Sequence, residues 1–216
     1  MPTPEGALAP EVLRRLREVG GWMRTYGDGI YGTTAGRFRN LPFGRSTTKG
    51  NRVYIHILDW PQDGRIILPG LMSNPVSATF LKDPTVPVGV TLERMDVALA
   101  VPDGALDPLA ATIELEFENE PEIIYGPDIF PETTAFVAPI DITLGDFAAD
   151  DSYRIYYTLD GSDPNTSSLY YEEPFTLRSS ATISCQKIAP DGMPLSPISR
   201  KTFIRQSQPQ ERNKPQ

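Results

Sequence analysis

Thr112-Ile113-Glu114-Leu115-Glu116-Phe117-Glu118 alternates apolar and acidic residues without a break. A period of two is that of a half-buried β-strand, with Ile113, Leu115 and Phe117 turned to a core and the glutamates turned to water. The reading extends outward from there. Val53, Ile55 and Ile57 alternate with Tyr54, His56 and Leu58. They lie between the turn Lys49-Gly50-Asn51 and the Asp-Gly hairpin signal of Pro61-Gln62-Asp63-Gly64. Short strands are expected near 65–68, 76–81, 88–92, 96–101 and 111–118, then near 135–144, 153–159, 169–177, 181–188 and 199–204. Strands at this spacing, with Pro and Gly between them, predict antiparallel sandwiches.

Composition agrees. Proline supplies 22 of 216 residues, which suits turns and edge strands. The length accommodates two units of about 100 residues each. One cysteine, Cys185, excludes an intrachain disulfide framework, and one histidine, His56, excludes a multi-histidine metal site. No apolar run approaches the ~18 residues of a membrane helix, and the N-terminal residues show no signal-peptide pattern. The net charge of −8 argues against a nucleic-acid partner. Residues 93–160 carry two Lys/Arg and sixteen Asp/Glu, a stretch read as a solvated sheet face rather than a calcium site or a dock for a basic partner.

The chain opens with its one convincing helix, about residues 10–25. Pro10 suits the first helical position, and Glu11 suits the positive end of the helix dipole. Val12, Leu16, Val19, Met23 and Tyr26 recur at helical spacing, with Leu13 and Trp22 widening the stripe. Gly20 and Gly21 weaken such a helix by about 1 kcal/mol each, so close packing against another surface is expected there. Gly27 is the expected C-terminal stop. Residues 119–132, with three prolines, read as a linker, and 206–216 as a disordered tail.

Motifs for chemistry are sparse. Gly27-Asp28-Gly29-Ile30-Tyr31-Gly32 matches G-x-G-x-x-G, but it follows a helix instead of opening one, so it is not read as a dinucleotide site. His56 sits mid-strand, where a surface or cross-strand role is usual. Asp160-Gly161-Ser162-Asp163-Pro164-Asn165 reads as a turn, its spacing being wrong for an EF-hand. Asn165-Thr166-Ser167 is a formal glycosylation sequon. Cys185 reads as a small buried apolar residue. No catalytic constellation, metal site or cofactor site emerges. Tyr153, Tyr156, Tyr157, Tyr170, Tyr171 and Phe175 could form a stacking platform for carbohydrate, although alternating aromatics in strands are usually core. Tyr156 and Tyr171 are the candidate contacts.

Two series of residues carry a resemblance. The first runs Pro2-Thr3-Pro4-Glu5-Gly6, Leu16-Arg17-Glu18-Val19-Gly20-Gly21-Trp22-Met23, Gly27-Asp28-Gly29-Ile30-Tyr31-Gly32-Thr33, Thr48-Lys49-Gly50 and Val53-Tyr54-Ile55-His56-Ile57-Leu58-Asp59-Trp60-Pro61. It resembles the C-terminal part of the α-L-fucosidases of glycoside hydrolase family 29, over about residues 2–118. Tyr26 stands where that family usually has Asn, and Asp28-Gly29 where it has Glu-Ala. The second series, Ile155-Tyr156-Tyr157-Thr158-Leu159-Asp160-Gly161-Ser162-Asp163-Pro164 with Ser168-Leu169-Tyr170, is similar to the small C-terminal β-sandwich module of chitobiases and hexosaminidases. It covers about residues 131–205.

The resemblance implies a mainly β chain: one N-terminal helix, a residual barrel element, followed by two antiparallel β-sandwich domains. Residues 1–34 would be the last helix and edge of a truncated barrel, 35–118 the fucosidase C-terminal sandwich, 119–132 a linker and 133–205 the appended module. It implies that Met1 marks a truncation or a misplaced start, and that the family's nucleophile and acid/base carboxylates lie upstream. No residue here matches their motifs. Val12, Leu16, Val19, Trp22 and Met23 would pack on the barrel. The implied partners are the missing barrel and, through the parent, fucosylated glycans. With the barrel absent, the helix could drive self-association. No nucleic-acid or membrane partner is implied, and the family's usual setting is secreted, periplasmic or lysosomal. The rival reading is a free-standing carbohydrate-binding or adhesion module.

Overall fold

A computed structural model describes residues 8–38, 41–104, 107, 109–145 and 152–207. The fold is mainly β with one N-terminal helix, and it divides into two compact units between Ile123 and Ile124.

The first unit opens with α1, Pro10–Tyr26. Pro10 occupies the first turn, Glu11 sits at the N-terminal end of the dipole and Arg24 in the last turn, where each charge is favoured. Arg14 bridges Glu11 at 2.8 Å and Glu18 at 2.6 Å on the solvent side. Eight strands follow: β1 Thr34–Ala35, β2 Gly44–Lys49, β3 Arg52–Ile57, β4 Arg65–Pro69, β5 Ser77–Phe80, β6 Gly89–Glu93, β7 Asp96–Ala100 and β8 Ala111–Glu116. They form a five-stranded sheet, β1-β2-β3-β8-β5, and a three-stranded sheet, β4-β7-β6, paired antiparallel throughout. Val53, Ile55, Ile57, Phe80, Ile113 and Leu115 of the first sheet share one core with Ile66, Leu68, Val97 and Leu99 of the second. Each such side chain contributes about 1.5–3 kcal/mol when fully buried.

The expectation that Glu114 and Glu116 simply face water needs correction. Arg52, across the β3–β8 ladder, reaches Glu116 at 3.0 Å and Glu114 at 3.6 Å. Strand β2 escaped the sequence reading because Arg45-Ser46-Thr47-Thr48 has no apolar alternation. At Gly36, beside β1, an added Cβ would lie 1.9 Å from Ser46 Oγ, so only glycine lets the chain pass β2.

The second unit comprises β9 Asp128–Phe130, β10 Ala135–Phe136, β11 Ile140–Gly145, β12 Arg154–Thr158, β13 Leu169–Tyr170, β14 Phe175–Leu177, β15 Ala181–Ile188 and β16 Ser199–Arg205. One sheet runs β10-β16-β15-β12-β13 and the other β14-β11-β9. All pairings are antiparallel except β10 with β16. Ile142, Leu144, Ile129 and Leu177 of the smaller sheet pack with Phe136, Ile183, Cys185 and Phe203 of the larger.

Three boundaries differ from the sequence reading. The stretch 119–132, read as a linker, contains β9, which pairs with β11 and places Ile129 in the core. The single strands expected at 135–144 and 169–177 are each two strands. Pro139 and Pro174 lie in the gaps, where a missing N–H interrupts a ladder. Of the tail at 206–216, all beyond Ser207 lies outside the described residues.

Candidate functional site

The apolar stripe of α1 is divided. Tyr26 is buried, Val12, Trp22 and Met23 are half-buried, while Leu16 and Val19 are 54% and 55% exposed. Leu13 widens the open part. Close packing at the glycine pair is not found among the described residues: a Cβ on Gly20 or Gly21 would meet only the end of the Arg24 side chain, at 4.0 and 3.7 Å. The helix therefore presents Leu13, Leu16, Val19 and the bare backbone at Gly20 as one uncovered apolar surface.

Its C-terminal end is fixed. Trp22 Nε1 donates to the Ala110 carbonyl at 2.9 Å, and the Tyr26 hydroxyl donates to Asp107 Oδ2 at 3.2 Å. Lys82 Nζ reaches the same carboxylate oxygen at 3.3 Å, and the Leu109 N–H donates to Oδ1 at 3.0 Å. Burial works to raise Asp107, but these hydrogen bonds outweigh it and hold the carboxyl below the usual range. Burial first, and then the Asp107 charge, push the Tyr26 phenol well above its ordinary value. The Trp22 and Tyr26 rings meet at 5.0 Å.

The G-x-G-x-x-G segment completes this anchorage. Gly27 does not stop the helix in a left-handed conformation. Its φ is −59°, and the chain continues into a one-turn 3-10 helix, Gly27–Gly29. Among the described residues the first positive φ is at Gly32, +70°. Gly29 lies on the sheet, where an added Cβ would stand 3.0 Å from His56 Cε1 and 3.3 Å from the Tyr54 ring.

His56, read from sequence as a surface or cross-strand residue, stands opposite Thr112 across the β3–β8 ladder and is buried beneath this turn. Thr47 Oγ1 donates to the Gly29 carbonyl at 2.5 Å and lies 3.0 Å from His56 Nε2. The Thr47 proton is thus committed, so Nε2–H donates to Thr47. Nδ1 then accepts from the Thr112 hydroxyl at 3.0 Å. A neutral imidazole satisfies every member of the chain Thr112–His56–Thr47–Gly29. Burial lowers the His56 pKa, with the Gly29 carbonyl acting in the opposite sense. The arrangement stitches the end of α1 to β2, β3 and β8.

In the second unit the candidate carbohydrate contacts separate. Tyr156 pairs with Tyr170 across β12 and β13. Tyr171 packs against the core instead, as do Tyr157 and Phe175, whose rings stack at 4.8 Å and 11°. Tyr156 and Tyr171 therefore lie on opposite faces of the sheet. Asp160 accepts from Ser162 N–H and Oγ at 3.0 and 2.6 Å, the geometry of a turn. Among the described residues no group of three or more His, Cys, Asp or Glu is placed to hold a metal ion. The sequence reading overlooked Ile30 and Tyr31, which stand exposed beside the helix end. Their apolar character in a glycine turn was the available signal.

A family model described as Fn3 associated matches residues 142–203, within the unit whose sequence suggested the chitobiase-type module. An α-L-fucosidase of Branchiostoma floridae is 34% identical over 83 residues, 37% of this chain and 18% of that protein. The chain thus matches less than a fifth of that curated relative. Among solved structures, α-L-fucosidase isoenzyme 1 from Paenibacillus thiaminolyticus is 34% identical, with a TM-score of 0.50, over 55% of this chain and 29% of that one. The α-L-fucosidase from Vibrio sp. strain EJY3 shares the fold over 93% of this chain and 40% of its own, with a TM-score of 0.53 at 15% identity. The chain is therefore similar to α-L-fucosidases over part of its length.

Proposed function

We propose that this chain is the C-terminal accessory region of an α-L-fucosidase, supporting the catalytic barrel and carrying out no chemistry by itself. The parent reaction would be retaining hydrolysis of terminal α-L-fucosides. The observation that carries the reading is α1: anchored at Trp22 and Tyr26, and open along Leu13, Leu16 and Val19. The partial similarity to α-L-fucosidases supports it.

A retaining glycosidase needs two carboxylates about 5–5.5 Å apart, and in a barrel these sit at strand ends. The described strands here form sandwich sheets. In this reading Val12, Leu16, Val19, Trp22 and Met23 form the barrel contact, and Gly20 lets a second surface approach the backbone closely. Fucosylated glycans are met through the parent enzyme.

Two measurements test this. The purified chain should not hydrolyse an aryl α-L-fucoside. Mixed with the catalytic portion of an α-L-fucosidase lacking its own C-terminal region, it should co-elute with it and raise its melting temperature, and Leu16→Glu should abolish both effects. Fucoside hydrolysis that scales with the amount of this chain alone, or failure to co-elute, would defeat the proposal.

A further inference from the structure

Register decides which aromatics of the second unit share a face. Tyr156 of β12 stands opposite Tyr170 of β13, and the Tyr171 N–H donates to the Ile155 carbonyl at 2.8 Å. Ile155, Tyr157 and Tyr171 turn to the core. Alternation therefore puts Arg154, Tyr156, Tyr170 and Glu172 together on the outer face of the five-stranded sheet. The ring centroids of Tyr156 and Tyr170 lie 6.4 Å apart with 58° between their planes. The Arg154 guanidinium stands 5.4 Å from the Tyr170 centroid. The Tyr170 hydroxyl donates to Glu172 Oε1 at 2.8 Å, and Tyr170 is 46% exposed.

The geometry points to a binding site for a single pyranose unit at the end of a glycan chain, formed by Arg154, Tyr156, Tyr170 and Glu172. An aromatic ring carries negative charge on its face and attracts weakly positive C–H groups, and a pyranose presents such groups on one side. Its hydroxyls need donors and acceptors at the rim. Arg154 offers N–H donors only, and Glu172 offers acceptors only. Glu172 is already oriented by Tyr170, and Tyr170 by its place opposite Tyr156, so little ordering is left to binding. The angle between the rings sets the specificity. Two planes at 58° cannot both lie flat on an extended crystalline polymer, so a single sugar ring is the unit that they can meet. The inference does not depend on the reading of α1.

The test is a heteronuclear NMR titration of the full chain with methyl α-L-fucoside and, separately, methyl β-D-galactoside. Saturable shifts confined to amides around Arg154–Thr158 and Leu169–Glu172 are expected for at least one sugar, with a Kd of about a millimolar. Tyr170→Ala should weaken binding about tenfold, the scale of one aromatic contact. Tyr170→Phe keeps the ring and should weaken it less. Microcrystalline cellulose should not retain the chain. No saturable shift with either sugar overturns the site, as does retention on cellulose. Should Tyr170→Ala unfold the unit, Glu172→Gln decides: a several-fold loss of affinity upholds the site and unchanged affinity overturns it.

Discussion

His56 links local chemistry to the placement of a whole helix. Its ring joins Thr112, Thr47 and the Gly29 carbonyl in one chain of hydrogen bonds that a neutral imidazole completes. Burial lowers its pKa below the ordinary 6.5. The unfolded chain therefore takes up this proton first as pH falls, and protonation favours unfolding. Stability from this group is complete above 6.5 and declines as pH drops through the folded-state pKa. Urea midpoints at pH 7 and pH 5 should show the decline, and His56→Ala should remove that portion of it. The same variant leaves the Thr47 and Thr112 hydroxyls without their ring partner, at a cost of about 1–3 kcal/mol at pH 7. A pH response identical in both proteins would mean that the ring is not held neutral.

At the scale of elements, α1 has two ends with different fates. Its first turns hold exposed side chains, and its last turn holds Trp22 and Tyr26 against the sandwich. Amide exchange should therefore be fast for Leu13–Val19 and slow for Met23–Tyr26, a gradient that hydrogen-exchange mass spectrometry reads directly. Gly20→Ala should stabilise the helix by about 1 kcal/mol, measured as helicity, yet weaken docking to a barrel by filling the bare backbone. Leu16→Glu should change chain stability by no more than about 0.5 kcal/mol, because the side chain is already in water. If the chain self-associates, sedimentation velocity should find this variant monomeric.

At the scale of the molecule, each unit has its own core, Phe38 through Phe117 in one and Ile129 through Phe203 in the other. Residues 124–207 produced alone should fold as an all-β unit with a cooperative urea transition. Starting instead at 133, the boundary read from sequence, removes β9 and with it Ile129, and the midpoint should drop. That difference shows where sequence was enough. Strands such as Arg65–Pro69 and Asp96–Ala100 were legible because alternation and turns are local signals. β9 was not, because three residues among prolines carry no period and gain strand character only from β11. The cross-strand place of His56 was legible, but its burial was not, because its cover, Gly29, lies far away in sequence. Tyr156 and Tyr171 could not be assigned to faces from sequence, since residues fifteen apart are placed only once the β12–β13 register is known.

Both tryptophans, Trp22 and Trp60, lie in the first unit, and the single cysteine, Cys185, lies in the second. Trp60 rests on Phe80 at 6.1 Å, so its emission should shift to the red when the first sandwich opens. Cys185 is fully buried, and burial pushes its thiol up to about 12, so a disulfide reagent should find it only after the second sandwich opens. A single denaturant titration followed by fluorescence and by thiol labelling thus records the two unfolding events in separate channels, with native reporters and no added probe.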